Sequence, residues 1–141
     1  MFFFMQRIYL DSNVFISLIN KEFGFSLRSL FVEAENFFLR VAENKDVLVL
    51  SNHCINEIND SAHYSKNDIV EHLSYFGFVV EVVCEPKEIK FSKYAKLCSH
   101  FKDSLHLALA MHFECDCIVT FNAKDFENAK KVISVLLHGD Y

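Results

Sequence analysis

Arg7-Ile8-Tyr9-Leu10-Asp11-Ser12-Asn13-Val14-Phe15-Ile16 is the stretch on which the fold turns. Its first four residues make a short, mostly apolar run that ends at an acid, and they read as a buried strand. The following residues, Ser12 through Ile19, read as a helix. A strand that passes directly into a helix, with a polar residue at the joint, opens an α/β unit.

The same alternation recurs outward from this stretch. Val47 to Leu50 predicts a second strand, with Ser51 or Asn52 capping a helix that carries Ile55 and Ile58. Phe78 to Cys84 predicts a third strand, Cys117 to Phe121 a fourth and Val132 to Leu136 a last one. Helices are predicted over Ser26 to Val41, where Leu27, Leu30, Phe31, Ala34, Phe38 and Val41 keep helical spacing, and over Asn67 to Tyr75. Pro86 opens a further helix to about Ser99. Asp103 starts a nearly all-apolar one, Leu105 to Phe113, and a short helix surrounds Asp125 to Lys130. Strands separated by helices imply right-handed crossovers and a parallel sheet covered on both faces, so the class is α/β.

Composition agrees. The chain has 141 residues, enough for one domain over 1–141, with 52% hydrophobic and 23% charged residues, which argues against extended disorder. Three Gly and one Pro disfavour a turn-dense all-β sandwich. A net charge of −5 argues against gripping duplex DNA by phosphate neutralisation alone. It leaves nucleic acid open as a substrate where bound cations offset the charge. Five cysteines without framework spacing read as reduced thiols, and Cys115-x-Cys117 lacks the second pair a zinc site needs. The apolar Met1 to Met5 is too short for a signal segment, and Arg7 follows rather than precedes it. No run reaches membrane-spanning length. The expectation is a soluble, cytoplasmic protein.

In a parallel sheet, ligands collect beyond the carboxyl ends of the strands. Asp11 follows the first strand, Glu57 lies in the second turn of the helix after the second, and Asp103 begins the helix leading into the fourth. Asn122 and Asp125 follow the fourth in Thr120-Phe121-Asn122-Ala123-Lys124-Asp125-Phe126. All fall on one edge. Clustered carboxylates raise one another's pKa unless a cation sits among them, and oxygen donors suit Mg²⁺ or Mn²⁺. Phosphodiester hydrolysis is the chemistry that uses such a site.

This ordered set resembles the PIN domain family, the metal-dependent nucleases that include the VapC-type toxins. Leu10 to Ile16 is similar to the family's first-strand motif, and Ser51 to Glu57 to its second. Asp103-Ser104-Leu105-His106-Leu107-Ala108 is similar to the third, and Ile118 to Phe126 to the closing one. The resemblance implies a three-layer α/β/α domain with a central parallel sheet. It implies a Mg²⁺- or Mn²⁺-dependent endoribonuclease acting on RNA, the toxin of a type II toxin–antitoxin pair, with a cognate antitoxin and a homodimer as partners. It assigns Asp11, Glu57, Asp103 and Asp125 as metal ligands, with Asn122 completing the catalytic set. Where the family often has Asp, Asn122 removes one negative charge and puts a second metal in question.

Plainer roles stand beside these. Asp11, Asp103 and Asp125 suit helix N-caps, and Glu57 suits an exposed helix position. His106 reads as a hydrogen-bonded core residue, outside catalysis. Ser12, Asn13 and Thr120 are placed to support the site or a substrate phosphate, with local capping favoured for Ser12. Lys87, Lys90, Lys93 and Lys96, with Phe91 and Tyr94, form a basic stripe that reads as a solvated helix face. The rival to a nuclease is a PIN-like module that binds RNA or assembles without cleaving.

Overall fold

Side chains alternate across a strand, so a strand covered on both faces needs apolar residues at successive positions. Ile8-Tyr9-Leu10 and Val47-Leu48-Val49-Leu50 meet that demand, and all seven are buried. The computed structural model describes residues 5–21, 29–89 and 93–136. Within them, β1 (Arg7–Leu10), β2 (Val47–Ser51), β3 (Val79–Val83), β4 (Cys117–Val119) and β5 (Ser134–Leu136) form one sheet. Its order is β3-β2-β1-β4-β5, with every pairing parallel.

The alternation also sorts the helices. Ile8, Leu10, Leu48, Leu50 and Val119 face α1 (Ser12–Ile19), α2 (Leu30–Asn44), α3 (Asn52–Ala62) and α4 (Lys66–Ser74). Tyr9, Val49, Ile118 and Val135 face α5 (Phe101–His112) and a 3₁₀ helix over Ala123–Lys131. The result is a three-layer α/β/α domain. On the first face Phe38 packs against Phe37, Phe76 and Phe78 at ring separations of 5.1, 5.4 and 6.0 Å. Strand order runs outward from β1 in both directions, which puts the topological switch between β1 and β4.

Local chemistry sets the helix starts. Ser29 accepts from the Val32 N–H at 3.4 Å, Ser51 accepts from the Cys54 N–H at 3.1 Å, and Ser65 with Asp68 forms a capping box. The part of the predicted second helix over 26–28 lies outside the described residues. At the far end of β1, Arg7 pairs with Glu81 of β3 and donates to the Phe113 carbonyl at 3.0 Å. Its own N–H donates to Asp116 at 2.7 Å, so Asp116 ties the turn before β4 to β1.

Where a helix is expected from Pro86 to Ser99 there is none among the described residues: 86–89 and 93–100 are irregular, turn and bend. Ile89, Tyr94, Leu97 and Cys98 pack onto the second face instead. The Ser99 N–H donates to the Asp125 carbonyl at 3.1 Å rather than to a carbonyl one turn back. Tertiary contacts therefore outweigh local helical spacing here. Among the described residues the basic stripe has no helix to carry it, and Lys90 and Phe91 lie outside them. All five cysteines are free thiols. Cys115 packs into the second-face core and Cys117 into the first, so their thiols are held apart. No helix among the described residues is long and apolar enough to cross a membrane.

Candidate functional site

The sheet's carboxyl edge at the β1–β4 switch collects the acids. Asp11 takes up the N-cap position of α1 but its carboxylate makes no capping bond. It accepts instead from Thr120 Oγ1 at 2.7 Å, while the Asp11 N–H continues the β1–β4 ladder to the Val119 carbonyl at 3.1 Å. Thr120 is itself fixed by Asn13, whose Nδ2 lies 3.3 Å from Thr120 Oγ1 and whose Oδ1 accepts from the Phe121 N–H at 3.2 Å. Asn13 and Thr120 thus hold Asp11 across the switch.

Glu57 comes to the same place from α3. Its Oε1 accepts from Ser12 Oγ at 3.0 Å and from His106 Nε2 at 2.6 Å. The local-cap role expected for Ser12 gives way to this contact, because position one of α1 points its hydroxyl at the neighbouring helix. His106 is indeed a hydrogen-bonded, buried residue, but its partners belong to the site. Its Nε2 lies 3.7 Å from Asp11 Oδ1, and its Nδ1 lies 2.6 Å from the Tyr9 hydroxyl, which in turn meets Ser51 Oγ at 2.7 Å. A polar chain runs from the α3 cap through the core to Glu57.

Asp103 and Asp125 make a second, more open group. Asp103 sits in the first turn of α5, whose N-cap is His100, and Asp125 is the third residue of the 3₁₀ helix, whose N-cap is Asn122. Neither acid is a cap. His100, Asp103 and Asp125 bring ligand atoms within 4.8 Å of one another. Asn122 is exposed, its N–H donates to Thr120 Oγ1 at 2.9 Å, and its side chain makes no cap bond. The structure therefore places Asp11 with Glu57, and Asp103 with Asp125, and leaves the Asn122 side chain outside the hydrogen-bonded set.

Charge links the two groups. Burial, then the charges of Asp11 and Asp125, push the Asp103 carboxyl up to about 6. Burial also raises Asp11, against the opposing pull of His106 and Thr120. Burial pushes Glu57 upward as well, but the hydrogen bond and charge of His106 outweigh it and leave Glu57 below the usual carboxylate range. His106 shows the reverse balance: burial lowers it, yet Glu57 and Asp11 hold it above an ordinary imidazole. The Glu57–His106 contact favours the charged form of each partner, and burial makes charge on Asp11 and Asp103 costly. An all-oxygen donor set under mutual repulsion fits a hard divalent cation.

His53 escapes sequence reading. It stands four residues before Glu57 on α3, and its ring lies 4.5 Å from that of His106. His53, Glu57 and His106 form the other group whose ligand atoms approach within 4.8 Å. The only local signal is the i, i+4 spacing of His53 and Glu57. The cleft beside the open group, about 310 Å³, is lined by Cys98, Ser99, Lys124, Asp125 and Asn128. A family model described as PIN domain matches residues 7–124. No curated protein matches the chain.

Proposed function

This chain belongs to the PIN domain family, and from that premise we propose that it is a divalent-metal-dependent endoribonuclease that hydrolyses RNA phosphodiester bonds. PIN domains are typically metal-dependent nucleases. The observation that carries the reading is geometric: Asp103 and Asp125 stand together with ligand atoms within 4.8 Å, and burial with the charges of Asp11 and Asp125 raises the Asp103 carboxyl. Acids held at such a cost at a sheet's carboxyl edge support a functional site.

Asp11, Glu57, Asp103 and Asp125 would hold Mg²⁺ or Mn²⁺, which when bound activates water and offsets phosphate charge. Thr120 fixes the Asp11 carboxylate, and Ser12 with His106 fixes Glu57. Asn122, at the mouth of the site, would orient water or substrate. The motif resemblance extends the proposal to the toxin of a type II toxin–antitoxin pair, cytoplasmic, neutralised by a small antitoxin and active as a homodimer.

Incubating RNA with wild type, Asp11→Asn and Asp103→Asn in Mn²⁺, Mg²⁺ or EDTA tests it. Cleavage by wild type only, abolished by EDTA, is expected. Equal turnover by either variant at limiting Mn²⁺ removes that acid from the site. Growth arrest on expression, relieved by a small neighbouring open reading frame, tests the toxin role. A second reading, an RNA-binding or assembly module that does not cleave, is favoured by one feature: His106 already satisfies the Glu57 charge without a cation. RNA binding with no Mn²⁺ uptake in equilibrium dialysis would select it.

A further inference from the structure

We propose that His53, Glu57 and His106 form a binding site for a borderline divalent cation of the zinc class, distinct in donor chemistry from the all-oxygen site and sharing Glu57 with it. Two imidazoles and one carboxylate are a His₂Glu donor set with room for a fourth ligand. Imidazole nitrogen selects Zn²⁺, Co²⁺ or Ni²⁺, whereas oxygen donors favour Mg²⁺ and Mn²⁺.

The arrangement of nitrogens carries the argument. Metal-binding histidines use one ring nitrogen for the ion and anchor the other through a hydrogen bond. His106 Nδ1 is anchored by the Tyr9 hydroxyl at 2.6 Å, itself backed by Ser51 Oγ at 2.7 Å, and Tyr9 can accept or donate as the imidazole tautomer requires. The His53 ring faces that of His106 at a centroid separation of 4.5 Å. Its Nε2 is buried and meets no hydrogen-bond partner among the described residues. A buried nitrogen is seldom left in that state without reason. One ring nitrogen of each histidine and a Glu57 carboxylate oxygen lie within 4.8 Å of one another, and a bound cation would take the place of the proton that His106 Nε2 shares with Glu57 Oε1 at 2.6 Å. Zinc ligands about 2.0–2.1 Å from the ion stand roughly 3.3 Å apart. Binding would spread the Glu57–His106 contact from 2.6 Å toward that separation and draw in His53, the less buried imidazole.

Occupancy would take Glu57 from the oxygen site, so Zn²⁺ should inhibit Mn²⁺-dependent cleavage. That consequence rests on the nuclease reading; cation binding does not. The test is Co²⁺ titration of the full chain, free of Mg²⁺ and Mn²⁺, followed by visible absorption. One equivalent giving the intense bands of four-coordinate Co²⁺, bleached by Zn²⁺ but not by Mg²⁺, is expected. His53→Ala and the volume-keeping His53→Gln should each weaken this binding at least tenfold, with the circular dichroism of wild type, while Asp103→Asn should keep it. A pale six-coordinate spectrum, displacement by Mg²⁺, or binding unchanged in both His53 variants would overturn the proposal. Zinc-displaceable Co²⁺ bands in a chain that cleaves no RNA would uphold this site and remove the nuclease reading. Cleavage without those bands would do the reverse.

Discussion

Replacing Asp103 by Asn tests the electrostatics of the acidic edge without a substrate. The Asp103 carboxyl stands at about 6 against an ordinary 3.8, with burial the largest cause and the charges of Asp11 and Asp125 next. At 1.36 kcal/mol for each tenfold change, that displacement corresponds to about 3 kcal/mol. Asp103 is half-exposed, so solvent screening reduces it to about 1.5 kcal/mol. The favourable contact of its charge with the first turn of α5, about 0.5 kcal/mol, works the other way. A net cost of about 1 kcal/mol remains in the metal-free protein. Its sign follows from linkage: the folded chain ionises this group at higher pH than the unfolded chain. Below about pH 4 both states are protonated and there is no penalty; stability then falls with rising pH, and above about pH 6 the penalty is complete. In EDTA, Asp103→Asn should match wild type near pH 4 and exceed it by about 1 kcal/mol at pH 7, roughly 3–5 °C in Tm. Urea unfolding at both pH values measures this. A gap of equal size at pH 4 and pH 7, or a variant less stable than wild type at pH 7, would refute the argument.

Further perturbations have defined outcomes. Saturating Mn²⁺ should raise the wild-type Tm in proportion to the logarithm of ion concentration and leave Asp11→Asn nearly unmoved, since the ion binds the native state alone; differential scanning fluorimetry reads both. Tyr9→Phe removes the hydroxyl between His106 Nδ1 and Ser51 Oγ and should cost about 1–3 kcal/mol in urea unfolding, because two buried polar atoms lose a partner. Phe38→Ala, which empties the centre of the first-face aromatic cluster, should cost about 3–5 kcal/mol by the same assay. Asn122→Asp adds charge beside Thr120 and should shift the Mn²⁺ dependence of cleavage to lower concentration; superimposable titrations would make Asn122 a plain turn residue.

The strands were legible because burial on both faces writes itself into consecutive residues. Ile8-Tyr9-Leu10 and Val47 to Leu50 need no partner to be recognised as sheet interior. Helices with apolar residues on one face, such as α2, and with a serine at the start as well, such as α3, were legible for the same local reason. The stretch from Pro86 to Ser99 was not. Its proline and its threefold lysine spacing are local helix signals, but Ile89, Tyr94 and Leu97 are spent on the second-face core and the Ser99 N–H on Asp125. Those partners lie outside any window a helical pattern can span.

The same division runs through the site. Asp11, Glu57, Asp103 and Asp125 could be placed on one edge because a parallel sheet sends every strand-end residue to the same side. What each acid touches could not, since those contacts join residues 45 to 109 positions apart. His106 shows the limit best. A histidine at 1% exposure on an apolar helix was readable as a satisfied core residue, and it is one. Its satisfaction comes from Glu57 and from Tyr9, the one polar tip among the buried residues of β1, so the core residue and the site residue are the same side chain. Burial and function are separate questions at this position: one is answered by the helix's own composition, the other only by which strand and helix the fold sets against it.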